Sequence, residues 1–456
     1  MVTSVVAARS RAAARDRQRL RLTAGGLLGV AGLNLGVVLA LSLARLPVDV
    51  AQPGGLALWL GRVTGLLAEV LVLGQLLLAA RVPALERAVG QDTLLRWHRW
   101  LAPSTMAAVL LHPLLLAVSY SAATTGGVWG QLWTTSRSYL GATVGLVLFA
   151  AAAASSVRFV RTRMPYEGWY LVHVTTYGAV GFAWAHQLSA GSEVLHGSVV
   201  RGWWTAQLVV TVGAVVLYRA LVPLTVSWRH RLRVEYVERV AQDVVSVRLS
   251  GRDLGRLGAR GGQFFVWRFL TPTGWWRAHP FSLSQAAHEG GLRFTARQIG
   301  GGTEALARLR RGTRVLVEGP YGLLTDHART RPKVLLVGAG LGIAPIRALL
   351  ADLPAPVHAV VLHRASHREA AILHDELEDI TRRRPRTSLH LVEGPRGRPG
   401  DADRPLGRRQ LLRLVPDVRQ RDVFVCGPPG VAGPLLDDLH ALGVATTQIH
   451  VESFEL

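Results

Sequence analysis

The chain has one cysteine, Cys426, and one lysine, Lys333, in 456 residues. A single thiol excludes an internal disulfide. It also excludes an iron–sulfur cluster or zinc site whose several cysteine ligands all come from this chain. Acidic residues are scarce, 30 against 52 basic ones, which leaves a net charge of +22. Nearly all of that excess is arginine, a bias of the whole composition, and no RNA- or DNA-binding motif accompanies it. No nucleic-acid partner is therefore expected. A cleavable leader is not expected either. The Arg-rich stretch 9–21 runs into an apolar segment, 24–44, that is too long for a signal-peptide core and lacks a small-residue cleavage site after it.

What the sequence does have is apolar length. Hydrophobic residues make up 49% of it and mean hydropathy is +0.25, which conflicts with so high a charge in a single soluble globule. A membrane half joined to a soluble half resolves the conflict. Six apolar segments, at 24–44, 57–80, 94–118, 139–157, 169–190 and 203–226, are each about as long as a bilayer-spanning helix. Arginines cluster before the first segment, between the second and third, between the fourth and fifth, and after the sixth. By the positive-inside rule both termini are then cytoplasmic, in a multi-pass protein of the cell membrane.

Two of these segments carry paired histidines: His98 and His112 on the third, His173 and His186 on the fifth. Ionisable side chains are costly inside a bilayer, so they mark a functional site by default. Spacings of 14 and 13 residues at about 1.5 Å per residue put the members of each pair roughly 20 Å apart. Both segments run from inside to outside, so His98 shares a level with His173, and His112 with His186. Two imidazoles at each of two levels suit bis-histidine haem. Fourteen steps of about 100° return to within about 40° of the starting face, whereas thirteen miss it by about 140°. The fifth segment is therefore expected to be distorted, or its ligands to approach from different directions. Arg62 and Glu69 share a face of the second segment, where they could pair, meet a haem propionate or line a polar crevice.

After Arg233 the pattern changes to short strands with period-two stretches, about six of them before residue 324, as in a small antiparallel barrel. Within it stand His279-Pro280-Phe281-Ser282 and a glycine run ending Gly302-Thr303, which precedes a helical stretch able to hold a pyrophosphate on its backbone N–H groups. From Lys333 strands alternate with helices. Gly338, Gly340 and Gly342 lie at the first strand-to-helix turn, followed by Pro345, and a later strand ends in Cys426-Gly427-Pro428. That pattern predicts a parallel sheet with a ligand crevice at its carboxyl edge.

Taken in order, the paired membrane histidines, HPFSLS, GGGT, VEGPYG, GAGLGIAP, VCGP and ESFEL resemble the ferric reductase and NADPH oxidase superfamily. The resemblance covers nearly all of residues 55–456. It implies a six-helix transmembrane bundle (24–227) after an Arg-rich tail (1–23), then an antiparallel β-barrel FAD domain (228–329) and an α/β Rossmann-like NAD(P) domain (330–456). His98, His112, His173 and His186 would ligate two b-type haems. His279, Pro280, Phe281, Ser282, Gly302 and Thr303 would bind FAD. Gly338, Gly340, Gly342, Pro345, Gly427 and Pro428 would bind the nicotinamide dinucleotide. Arg364, with Arg368 after it, would favour NADPH over NADH through its 2′-phosphate. Cys426 beside the nicotinamide and Phe454 over the flavin are the catalytic positions the resemblance implies. The expected activity passes electrons from cytoplasmic NAD(P)H through FAD and the haems to an outer acceptor. A ferric chelate is the first expectation, with oxygen or a protein partner as alternatives.

Overall fold

The computed structural model describes residues 25–26, 29–122, 127–190, 198–286, 290–395 and 404–453. The chain divides into two compact units that part between Ala220 and Leu221, seven residues before the expected boundary.

Among the described residues the six apolar segments are largely helical, but they do not make six uniform spans. Among the described residues, four helices are long and apolar enough to cross a membrane: Gly29–Val50, Gly55–Ala79, Thr93–Ser121 and Val199–His230. A fifth is reached if Gly127–Arg137 and Leu140–Ser156, bent by 105°, count as one. The segment expected at 169–190 is split into Tyr166–Val174 and Thr176–Ala190. Its break has a local cause. The Thr175 hydroxyl donates to the carbonyl of Val172 and the Thr176 hydroxyl to that of His173, both at 2.7 Å. Such back-bonding competes with the main-chain ladder and bends helices. The break falls between His173 and His186, where their 13-residue spacing calls for a distortion.

The Gly55–Ala79 and Gln91–Ser121 helices pack closely, and glycine makes this possible. A Cβ on Gly61 would lie 2.9 Å from the Leu116 side chain, and one on Gly65 would lie 2.7 Å from Nδ1 of His112. Two glycines four apart on one face let neighbouring helices approach and leave room for an imidazole. The last helix passes through a π-turn at Leu217–Leu221 just before Pro223, which lacks the N–H needed to continue the ladder.

The second unit holds two lobes. Six strands, β1 (Arg233–Ala241), β2 (Val244–Ser250), β3 (Phe264–Phe269), β4 (His279–Ser282), β5 (Leu292–Arg297) and β6 (Val315–Tyr321), form two antiparallel three-stranded sheets, β1-β2-β5 and β4-β3-β6. Isolated bridges at Arg233–Arg314 and Leu283–Phe294 connect them. Phe265, Trp267, Phe269 and Phe294 fill the core between them with the alternate valines of β2.

The other lobe is a parallel sheet in the order β11-β10-β7-β8-β9, built from β7 (Lys333–Ala339), β8 (His358–Arg364), β9 (Thr387–Val392), β10 (Asp422–Gly427) and β11 (Ile449–Ser453). Strand order reverses at β7, so the crevice lies where β7 and β10 end. Glu376 ties the lobes together. It receives both Arg293 Nη atoms, at 2.9 and 2.7 Å, and Nε of Arg347 at 2.9 Å. A forked arginine–carboxylate contact of this kind fixes orientation as well as distance.

One buried pair makes the nucleotide lobe sensitive to acid. Nδ1 of His363, at the end of β8, lies 3.0 Å from Nδ1 of His374. Burial, then the neighbouring imidazole, hold His363 down to about 3 from its ordinary 6.5. Below pH 6.5 the unfolded chain takes up a proton that the folded chain refuses, so stability is lost as pH falls from 6.5 towards 3. The protection factors of β7 and β8 amides, which divide out the intrinsic pH dependence of exchange, should therefore fall on acidification from pH 7 to 5. His363→Gln should flatten that dependence, and an unchanged slope would contradict the assignment.

Candidate functional site

The membrane histidines are positioned by the backbone of the preceding helix. Nδ1 of His98 contacts the carbonyl of Gln75 at 3.2 Å, and Nδ1 of His112 contacts that of Gly61 at 2.7 Å. A carbonyl only accepts, so Nδ1 carries the proton in both rings and Nε2 keeps its lone pair. Residues 61 and 75 are 14 apart, as are 98 and 112, so one antiparallel helix pair sets both imidazoles in the same tautomer. Metal-ligating histidines are commonly held this way.

The opposing pair is held differently. His173 stacks on Trp169 with ring centroids 5.0 Å apart, and His186 meets the Tyr139 ring edge-on at 5.1 Å. Nδ1 of each is buried without a hydrogen-bond partner. The rings of His98 and His173 lie 6.1 Å apart, centroid to centroid. Two metal–imidazole bonds of about 2.0 Å, each extended by roughly 1.1 Å to the ring centre, span about 6 Å. The donor set and this spacing fit a bis-histidine iron. Arg62 and Glu69 do not pair: Arg62 meets buried Asp49 at 2.5 Å, and Glu69 accepts from Nε2 of Gln187 at 2.7 Å.

In the sheet lobe, β4 pairs with β3 so that Phe281 stands opposite Phe265 and Ser282 opposite Phe264. The rings of His279, Phe281 and Phe294 lie nearly parallel in succession, with neighbouring centroids 5.8 and 4.9 Å apart. Pro280 stiffens this strand opposite Val266. A Cβ on Gly302 would come within 3.3 Å of Cε1 of His279, so the glycine turn lies against the HPFS strand. The turn itself differs from expectation. Gly301–Glu304 is a four-residue helix followed by a 3-10 turn, too short to present a developed dipole. The Thr303 hydroxyl accepts from the amides of Ile299 and Gly300, at 2.8 and 3.2 Å, and so shapes the loop.

The Ser282 hydroxyl is buried and lacks a hydrogen-bond partner. A polar atom in that state favours a ligand that supplies one. Ser282→Ala should leave the flavin-free protein as stable as wild type or slightly more so, while weakening FAD about tenfold, the value of one hydrogen bond. Loss of stability without loss of FAD affinity would sink this reading.

At the crevice, the three glycines of the β7 turn play different parts. A Cβ on Gly338 would lie 2.6 Å from the Ile343 side chain, and one on Gly342 would lie 2.1 Å from the Cys426 carbonyl oxygen. Both permit close packing. Gly340, at φ +55° with nothing within 4 Å of a built Cβ, is the one whose backbone is open to a ligand. Pro345 is buried in the first turn of the Ile343–Asp352 helix, and Pro428 caps the Pro429–Ala441 helix beside Gly427. Cys426 stands in register with Gly338 on β7 and Glu452 on β11. Burial, then Glu452, push its thiol up, so it is a neutral, packed wall and not a nucleophile.

Arg364 requires a correction. Its guanidinium is buried and donates to the carbonyls of Ala365, Val392, Gly394 and Pro395, which ties the ends of β8 and β9 together. Arg368 is the exposed cation of the two, 3.5 Å from Glu378. Phe454 lies outside the described residues.

A family model described as the ferric reductase like transmembrane component matches residues 64–184. The match takes in His98, His112 and His173 and ends two residues before His186. The chain is 25% identical over 307 residues to a probable ferric reductase transmembrane component of Candida albicans, covering 64% of this chain and 42% of that one. It is 29% identical over 249 residues to a flavohemoprotein of Chromobacterium violaceum (50% and 61%), and 31% identical over 159 residues to a glycine betaine monooxygenase reductase subunit of Pseudomonas aeruginosa (32% and 42%). The chain spans less than two thirds of the length of each of these relatives.

Several residues around these sites belong to none of the motifs read from the sequence. Gly61 and Gly65 form a small-xxx-small pair that is visible in the sequence itself. Asp49, Gln75 and Gln187 carry no motif, because their roles depend on partners 13 to 118 residues away. Glu452 was seen only as part of the terminal ESFEL.

Proposed function

We propose that this protein is a membrane oxidoreductase that takes reducing equivalents from NAD(P)H at the parallel-sheet crevice and delivers them across the membrane to an acceptor, a ferric chelate before oxygen or a protein. The observation that carries this reading is the matched pair of carbonyl-anchored imidazoles, His98 and His112, the first of them beside His173. We assign His98 with His173 to one b-type haem and His112 with His186 to another, and residues 228–329 and 330–456 to FAD and NAD(P)H respectively. The two three-stranded sheets and their bridges suit the small barrel expected of a flavin lobe. The Arg-rich loops favour a cytoplasmic position for both termini and both lobes.

Flavin, when bound, exchanges a hydride for single electrons, and haem iron carries one electron at a time. The chain's own residues supply position and exclusion. Gln75 and Gly61 hold the tautomer of His98 and His112. Phe281 offers a flat apolar face and Ser282 a hydroxyl. Gly340 admits a dinucleotide backbone, and Cys426 keeps a neutral surface beside it. No side chain is required to move a proton at the membrane sites.

Purified protein supplied with FAD should bind two haems per chain, counted by the pyridine spectrum. It should reduce ferric chelates faster than it makes superoxide in air. Absence of haem would remove the membrane part of the reading, and superoxide as the main product would replace the ferric chelate with oxygen.

A further inference from the structure

Three of the four membrane histidines have a visible device that sets the ring: a carbonyl for His98, a carbonyl for His112, and the Trp169 face for His173. Among the described residues, His186 meets the edge of Tyr139, and its buried Nδ1 has no hydrogen-bond partner. Its helix, Thr176–Ala190, is also cut off from Tyr166–Val174 by the break at Thr175, so the rotation of one half does not dictate that of the other. Something else must hold it.

The residue after His186 is Gln187, whose Nε2 donates to Oε2 of Glu69 on the Gly55–Ala79 helix at 2.7 Å. The surroundings are apolar. Leu66, Leu67 and Val70 beside Glu69, and Trp184 and Leu188 beside Gln187, join one hydrophobic cluster with Val38 and Trp204. The second oxygen of Glu69 and the side-chain oxygen of Gln187 are buried without partners. A polar pair inside such a cluster is poorly explained by stability, because apolar side chains would pack there at no desolvation cost. Fixing register is the best-attested use of such a pair. The tie also falls on the helix that anchors His98 and His112, at residue 69 between Gly61 and Gln75.

We propose that Glu69 is a positioning residue for His186. Through Gln187 it locks the rotation of the Thr176–Ala190 helix, and so sets the direction in which the His186 imidazole is presented. This rests on the assignment of His186 as a haem ligand. Glu69 needs to accept a hydrogen bond there and does not need to carry charge, so Glu69→Gln keeps the function and Glu69→Ala loses it.

The test is haem stoichiometry together with low-temperature electron paramagnetic resonance of the oxidised, full-length protein, in which each low-spin haem gives its own signal. His186→Ala should abolish one signal and halve the haem content. If it leaves both intact, the ligand assignment fails first. With that control in place, Glu69→Ala and Gln187→Ala should each shift or broaden the signal that His186→Ala removes and leave the other unchanged. Glu69→Gln should restore it. The proposal is overturned if both alanine variants keep the wild-type signals, or if both signals move together. It is overturned equally if neither alanine variant folds, because the tie would then support the whole bundle.

Discussion

With the proposed haem ligation, replacing His98 or His173 by alanine is expected to remove one haem and to lower NAD(P)H-driven reduction of the acceptor by more than about 100-fold, while reduction of flavin by NAD(P)H continues. Loss of an outer-shell partner alone typically costs about 10–100-fold in metal affinity or activity, and loss of the ligand itself exceeds that. The two rings approach edge-on with centroids 6.1 Å apart. Gly61 and Gln75 act through backbone carbonyls, so side-chain substitution at Gln75 should have a much smaller effect than His98→Ala. Haem content and single-turnover flavin reduction, measured on the same preparations, separate the outcomes. Equal haem in wild type and His98→Ala would exclude His98 as a ligand.

Gly342→Ala is expected to be the most damaging single substitution in the nucleotide lobe. Its Cβ would lie 2.1 Å from the Cys426 oxygen, 2.4 Å from the Cys426 carbonyl carbon and 2.7 Å from the Gly427 nitrogen. These are backbone atoms, fixed by the pairing of β10 with β7 and β11. Overpacking a core costs about 1–3 kcal/mol where side chains can adjust, and here they cannot, so about 3 kcal/mol or more is expected. The seam between β7 and β10 would open where the nicotinamide is proposed to lie, so NAD(P)H-dependent flavin reduction should fall with stability. Gly340→Ala provides the contrast. Nothing obstructs its Cβ, and its φ of +55° costs about 1–2 kcal/mol. Similar melting temperatures for the two variants would contradict this assignment of roles.

The elements were legible where pattern is local. Apolar length marked all six helical segments of the membrane half, and alternation marked β1 to β6. The number of full spans was not legible, because hydropathy cannot register a break made by two threonine hydroxyls. The 13-residue histidine spacing did point to the distortion, through the mismatch with the helical period, and Thr175 is where it occurs. Glycine roles were legible as a group but not individually: only packing distinguishes open Gly340 from Gly338 and Gly342. Arg364 misled, because an arginine after a strand reads as available until the carbonyls of residues 392–395 are seen to enclose it. Glu69 and Arg62 share a helical face, yet each turned to a partner on another helix. Polar partnerships in a bundle are tertiary facts.

The most direct test of the central claim is the absorbance spectrum of the detergent-purified, FAD-supplemented protein before and after anaerobic NADPH. The account predicts reduction of bound b-type haem, about two per chain, which His98→Ala prevents. Flavin reduction with haem left oxidised, or no haem at all, would contradict it.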